Sequence, residues 1–273
     1  MAVAVVVVVG VAALGAGIEI GRTVLAPSTS SKAHFLIVGT NIPFPPFENF
    51  NTTTGLYEGF DINFSAMVAF AAHRTLVIQN YADFGVLLLD AGKGAVDMAA
   101  SAITMSGSAG ATRNGTMSFS IPYYNANQAV LVRSGSTLSC PSNTCTQVQL
   151  ESLIVGVQSG TTSETWANTY LAPNMSNPTN QLKHFTTVDV EIASLSAGAL
   201  DAVIIDNPIA TSYAGGSGGK LKVAGQIITG ELYGFAVAHG DPEGLVPIIN
   251  SVIAQSMTNG TYQKLISEWF GHP

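Results

Sequence analysis

Charge is scarce in this chain. Of its 273 residues only 10% are Asp, Glu, Lys or Arg, against about 25% in an ordinary soluble domain. Ten cations and 17 carboxylates give a formal net charge of −7, with no run of basic residues. That excludes a nucleic-acid-binding surface and a polybasic patch for anionic lipid headgroups. Cysteine is nearly absent as well. The two residues Cys140 and Cys145 rule out a cysteine-dense scaffold. They bracket Pro141-Ser142-Asn143-Thr144 with no further metal ligands nearby, so a zinc site would lack half its donors. Outside the cytoplasm the spacing reads as a disulfide-closed turn. Nothing in the sequence calls for a cofactor or a metal.

The length allows one large domain or two modest ones. Met1 to Ile18 carries no charge at all. As a helix it would span roughly 27 Å, close to the hydrocarbon thickness of a bilayer. Residues 1–25 are therefore expected to engage a membrane, as a signal peptide or a retained anchor. No Lys or Arg precedes the apolar run, although Gly15-Ala16-Gly17 offers small residues for cleavage; the expectation is the anchor. Residues 26–33, rich in Ser, Thr and Pro, read as a linker.

The stretch Asp97 to Tyr124 carries the most chemistry. A short apolar strand leads to Ser101, Thr104 and Ser106, then to a Gly/Ala/Ser loop with Arg113 on its far side. Hydroxyls, free backbone N–H groups and one guanidinium at a strand end suit a carboxylate: the fork takes both oxygens and the hydroxyls take the remaining lone pairs. Ser159-Gly160-Thr161-Thr162-Ser163 follows the strand 154–157 as a helix N-terminus, either an anion seat or a plain cap. Val203-Ile204-Ile205-Asp206 is a buried-type strand ending in a carboxylate. That carboxylate accepts an ammonium or caps the helix opened by Asn207-Pro208. Gly215 to Gly219 fits G-x-S-x-G but lacks the strand and helix of a nucleophile elbow, and reads as a flexible loop.

The remaining pattern alternates strands and helices. Apolar runs at 35–39, 76–78 and 94–97 read as strands. Phe60, Phe64, Met67 and Ala71 repeat at helical spacing, with Asp61 as the expected cap. Phe84 opens a further helix. Residues 244–257 and 261–270 are C-terminal helices parted by Asn259-Gly260. Pro43, Pro45 and Pro46 are expected to hold their loop extended.

Thr40-Asn41-Ile42-Pro43-Phe44-Pro45-Pro46-Phe47, Gly59-Phe60-Asp61-Ile62, the serine-rich and aspartate segments above, Asn259-Gly260-Thr261-Tyr262 and Trp269-Phe270-Gly271 complete a series. In that order they resemble the polar amino acid-binding proteins of ABC importers, extracellular solute-binding family 3, from His34 to Gly271. The resemblance implies a type II periplasmic-binding-protein-like α/β fold of two lobes joined by two crossing hinge strands. Lobe one would be 34–124 with 232–273, and lobe two 125–231. It implies an amino acid between the lobes, contacted by Asn41, Phe44, Phe84, Ser101, Ala102, Thr104, Arg113, Gln158, Thr161, Thr162 and Asp206. Phe44 and Phe84 would face each other across the ligand. Arg113 would hold the α-carboxylate, and Asp206 with Thr162 the α-ammonium.

Relatives of this kind that bind lysine or arginine commonly carry a carboxylate where this chain has Asn41. A neutral amide there implies glutamine or a similar ligand. The chain departs from the family pattern where Gly107 to Thr112 lengthens the segment before Arg113. The expected role is that of a monomer delivering an amino acid to an ABC transporter permease outside the cytoplasm. The alternatives are a cyclohexadienyl dehydratase-like enzyme on the same fold and an amino-acid-sensing domain. The enzyme needs a general acid at the leaving group. The cleft motifs offer no acid beyond Asp206, with Glu164 near.

Overall fold

The computed structural model describes residues 34–271. The expected anchor and linker lie outside the described residues. Among those described, no helix is long and apolar enough to cross a membrane.

The chain opens with β1 (Phe35–Thr40), the hairpin β2 (Asn49–Asn51) and β3 (Leu56–Glu58), then α1 (Phe60–Ala71), β4 (Thr75–Asn80), α2 (Phe84–Gly92), β5 (Met98–Ala99), α3 (Gly107–Asn114) and β6 (Met117–Phe119). The long β7 (Tyr124–Arg133) leads into α4 (Gln147–Leu150), β8 (Val155–Gln158), α5 (Thr162–Trp166), α6 (Pro178–Gln181), β9 (Leu182–Phe185), α7 (Val188–Ser196), β10 (Ala202–Asp206) and α8 (Asn207–Gly216). The equally long β11 (Leu221–Tyr233) returns to β12 (Ala236–Ala238), α9 (Leu245–Thr258) and α10 (Thr261–Phe270).

Two five-stranded sheets result, ordered β4-β1-β5-β12-β6 and β11-β7-β10-β8-β9. Each has a parallel core built from β-α-β units: β4, β1 and β5 in one, β10, β8 and β9 in the other. Such strands are covered by helices on both faces and read as continuous apolar runs. Every residue of β10 is buried, which is why its sequence does not alternate. Ends of parallel strands and starts of the following helices converge between the sheets, where open α/β folds bind ligands. The antiparallel pair β7 and β11 links the sheets. At its base Tyr123 stacks on Phe235 at 4.3 Å and Tyr124 on Phe270 at 5.0 Å. Offset aromatic pairs of this kind add to the burial that fixes the linking strands against α10.

Several local expectations are corrected. Asp61 does not cap α1: Gly59 holds that position. Asp61 is fully buried and accepts the Ala102 N–H at 2.9 Å and the Tyr123 hydroxyl at 2.8 Å. The apolar face of α1 runs through Phe60, Phe64 and Val68, leaving Ala71 exposed. The prolines do not keep their loop extended, because the chain folds back and Phe44 N–H bonds the Glu48 carbonyl at 2.8 Å. Residues 94–97 form a turn, and the strand begins at Met98. Gly215 and Gly216 belong to α8, because the helix opened at Asn207 propagates through them at one bond per residue. Cys140 and Cys145 are disulfide-bonded.

Candidate functional site

The segment before Arg113 is a helix rather than a loop. Gly107 to Asn114 forms α3 and places Arg113 in its last turn, buried. Gly110 makes this geometry possible: a Cβ there would lie 2.1 Å from the Met105 carbonyl oxygen. The guanidinium donates to the Thr104 carbonyl at 2.9 Å and to the Gly160 carbonyl at 3.2 Å, so one cation joins the segment after β5 to the segment after β8. It also sits 5.5 Å from the centre of the Phe84 ring. Gly160 reaches that position with φ +80°, a region open to glycine. Burial pulls the Arg113 pKa down to about 10, opposed by the nearby Glu231 and Asp206. It stays charged at neutral pH.

All eleven residues expected to touch a ligand line one cleft. It is a narrow cavity of about 20 Å³. Asn41 donates to the Tyr81 carbonyl at 2.7 Å and accepts the Gln158 amide at 2.8 Å, which closes one end of the cleft with neutral groups. Phe44 and Phe84 are both buried. Ala102 holds a left-handed φ of 45°, pinned by its bond to Asp61. A non-glycine residue there stores strain that the surrounding structure must enforce. Thr161 does act as the cap of α5, accepting the Glu164 N–H at 3.3 Å. Thr162 instead turns its hydroxyl into the cleft.

Asp206 ends β10 without capping α8 through its side chain. It lies directly opposite Gln128 of β7, whose amide donates to it. Burial, then the charge of Glu231, pushes the Asp206 carboxyl well above the usual carboxylate range.

Glu231 stands behind the cleft, whose lining carries no acid beyond Asp206. It is 6% exposed and comes from β11, on the other side of β7. A register shift between Ile227 and Glu231 breaks the ladder. Asn127 holds that bulge by accepting the N–H groups of Thr229 at 3.1 Å and Gly230 at 2.9 Å. Bulges re-aim side chains. Glu231 Oε2 accepts the Thr104 hydroxyl at 2.7 Å and the Thr162 hydroxyl at 2.8 Å, while Oε1 accepts the Gln128 amide at 2.9 Å. A second acid, Glu48, is fully buried and accepts the Ser101 hydroxyl at 2.6 Å. The sequence does carry a signal for Glu231: a lone carboxylate in the otherwise uncharged run Ile227 to Ala238. Gln128 has none, because its place depends on strand register.

The sequence profile of the bacterial extracellular solute-binding proteins, family 3, matches residues 36–272. A probable histidine-binding protein of Neisseria gonorrhoeae is 27% identical over 252 residues, covering 92% of this chain and 88% of that one. An ancestral arginine-binding protein, solved bound to glutamine and also bound to arginine, superposes with a TM-score of 0.75 at 29% identity, covering 87% of this chain and 98% of that one. An ancestral amino acid-binding protein described as a precursor of cyclohexadienyl dehydratase gives a TM-score of 0.75 at 28% identity, covering 88% and 97%. Match and architecture agree over the same residues: this chain belongs to the bacterial extracellular solute-binding proteins, family 3.

Proposed function

We propose that the chain binds a free amino acid in this cleft and delivers it, outside the cytoplasm, to an ABC transporter permease. The observation that carries the reading is the meeting of a buried cation from one lobe, Arg113, with a buried acid from the other, Asp206. A zwitterion matches both, its carboxylate on the guanidinium fork and its ammonium on the acid. The segments before Tyr124 and after Leu232 would move as one lobe and those between as the other, turning on β7 and β11. An amino acid touches both lobes only when they are closed, so it draws the population to the closed form.

The side chain bound is neutral and polar, with glutamine the best match. Asn41 and Gln158 supply amide groups but no charge at the far end, and a buried cation or carboxylate there would lack a partner. Competition calorimetry with glutamine, glutamate, arginine and leucine tests this. Glutamine should bind tightest. Arginine binding tightest would sink the assignment, and four affinities within about tenfold, a 1.4 kcal/mol span, would indicate a site reading only the α-groups.

The dehydratase reading has one specific support, the buried acid Glu231 bonded to two threonines of the cleft lining. Its oxygens are engaged by Thr104, Thr162 and Gln128, which leaves it poorly placed to meet a leaving group. Incubation with a cyclohexadienol acid, followed by the absorbance of the aromatic product, should show no turnover.

A further inference from the structure

Thr104 and Thr162 face each other across the cleft, one from each lobe, and both line it. A hydroxyl has one proton to donate and two lone pairs to accept with. Both hydroxyl protons go to the same atom, Glu231 Oε2, at 2.7 and 2.8 Å. A third hydroxyl of the cleft, Ser101, gives its proton to Glu48. The two amide protons of Gln128 go to Glu231 Oε1 and Asp206, and its nitrogen also lies 3.2 Å from the Thr162 oxygen. Towards the cleft these hydroxyls present lone pairs only. They cannot donate to a ligand carboxylate as the sequence suggested. They can accept from an ammonium.

We propose that Glu231 is a positioning residue that fixes the Thr104 and Thr162 hydroxyls as acceptors and so makes the cleft demand a free α-ammonium. The inference rests on the amino-acid reading above. Asp206 supplies the counter-charge of that subsite, and the oriented threonines supply directed acceptors for the remaining N–H groups. An α-keto acid of the same side chain offers the threonines an acceptor where a donor is needed. Two acceptors then face each other without a proton between them, and the polar groups stay unpaired. A glutamine at position 231 keeps the shape, and with its oxygen kept toward the Gln128 amide it presents N–H groups to both threonines. Each must then turn its own proton elsewhere. Both threonines line the cleft, which is where those protons can go.

Calorimetry on the full chain in mild detergent tests this with L-glutamine and 2-oxoglutaramate. If another proteinogenic amino acid binds more tightly, the pair is that amino acid and its 2-oxo acid. The wild type should prefer the amino acid at least a hundredfold. Glu231→Gln should narrow that preference at least tenfold by weakening the amino acid and sparing the keto acid. Thr104→Val and Thr162→Val should each narrow it too. Added to Glu231→Gln, neither should narrow it much further, since residues acting through one another are not additive. These threonine variants also stand in if Glu231→Gln fails to fold. An unchanged preference in Glu231→Gln, or fully additive effects, would overturn the positioning role while leaving the amino-acid reading intact. A wild type that binds no amino acid would remove both.

Discussion

Gln158 donates its amide to the Asn41 side-chain oxygen at 2.8 Å, closing one end of the cleft between the ends of β8 and β1, strands of different sheets. Asn41 in turn gives its own N–H to the Tyr81 carbonyl. The pair is neutral and self-satisfied, and a charge placed there changes what the cleft accepts. Asn41→Asp should shift preference toward arginine over glutamine by about tenfold, since a charge-assisted bond contributes roughly 1.5–3 kcal/mol. Part of the gain is offset, because the new carboxylate faces the Tyr81 carbonyl without a proton. Competition calorimetry reads the ratio; a preference that does not move means the side-chain end of the ligand lies elsewhere.

Arg113 uses N–H groups on the Thr104 and Gly160 carbonyls and keeps others for a ligand. Loss of a two-bond fork to a carboxylate should weaken amino-acid binding at least a hundredfold in Arg113→Ala. Because the side chain is buried and bridges both lobes, this variant should also lose a few degrees in Tm. Arg113→Lys should recover charge without the fork and fall between the two. Near-normal affinity in Arg113→Ala would disprove the carboxylate assignment.

Asp206 is opposite Gln128 in the ladder and does not cap α8 with its side chain. Its carboxyl is held above the usual range by burial and by Glu231, and an amide matches it in size while removing the charge. Asp206→Asn should therefore leave Tm within a few degrees and weaken amino-acid binding roughly thirtyfold, about 2 kcal/mol. A variant that unfolds would show that the residue serves the fold rather than the ligand.

Much of the fold and of the cleft is legible in the residues themselves. Parallel strands such as Ala202–Asp206 and the C-terminal helices announce themselves through continuous or periodic apolar residues. The eleven cleft residues follow from motifs in family order. What stays hidden depends on tertiary placement. Asp61 looks like a cap because Asp suits helix starts, yet the fold drives it inward to hold Ala102 and Tyr123. Gly107 to Thr112 looks like a loop because glycine and serine disfavour helices, yet the turn is locked where Gly110 meets Met105. Glu231 and Gln128 reach the back of the cleft lining through a bulge and a strand register; the lone carboxylate at 231 is visible in the sequence, but where it ends up is not.

The Cys140–Cys145 bridge closes a loop of few residues beside β11. Removing it as Cys140→Ser with Cys145→Ser should cost about 2 kcal/mol in the loop-entropy view. The bridge belongs to a core cluster that contains none of the cleft residues. Amino-acid affinity should be unchanged while the midpoint of urea unfolding falls. A loss of affinity matching the loss of stability would mean that the turn communicates with the cleft.

Asp61 is fully buried, and burial raises its pKa from 3.8 to about 7, against the lowering effect of its bonds from Ala102 and Tyr123. Its Oδ1 has no hydrogen-bond partner among the described residues, which suits a protonated acid. Glu48 is pushed in the same direction, first by burial and then by Asp61. An acid held above its ordinary range binds its proton more tightly folded than unfolded. The stability it contributes is fully present below about pH 4 and is lost as pH rises through about 7, at most about 4 kcal/mol for a shift of this size. Tm should therefore fall between pH 5 and pH 8. Asp61→Asn keeps an oxygen for Ala102 and Tyr123 and cannot ionise, so its Tm should fall less across that range and pass above the wild type at the alkaline end. Differential scanning calorimetry at several pH values decides it. Parallel curves for the two proteins would mean that Asp61 is already ionised at pH 5 and that its surroundings compensate the charge.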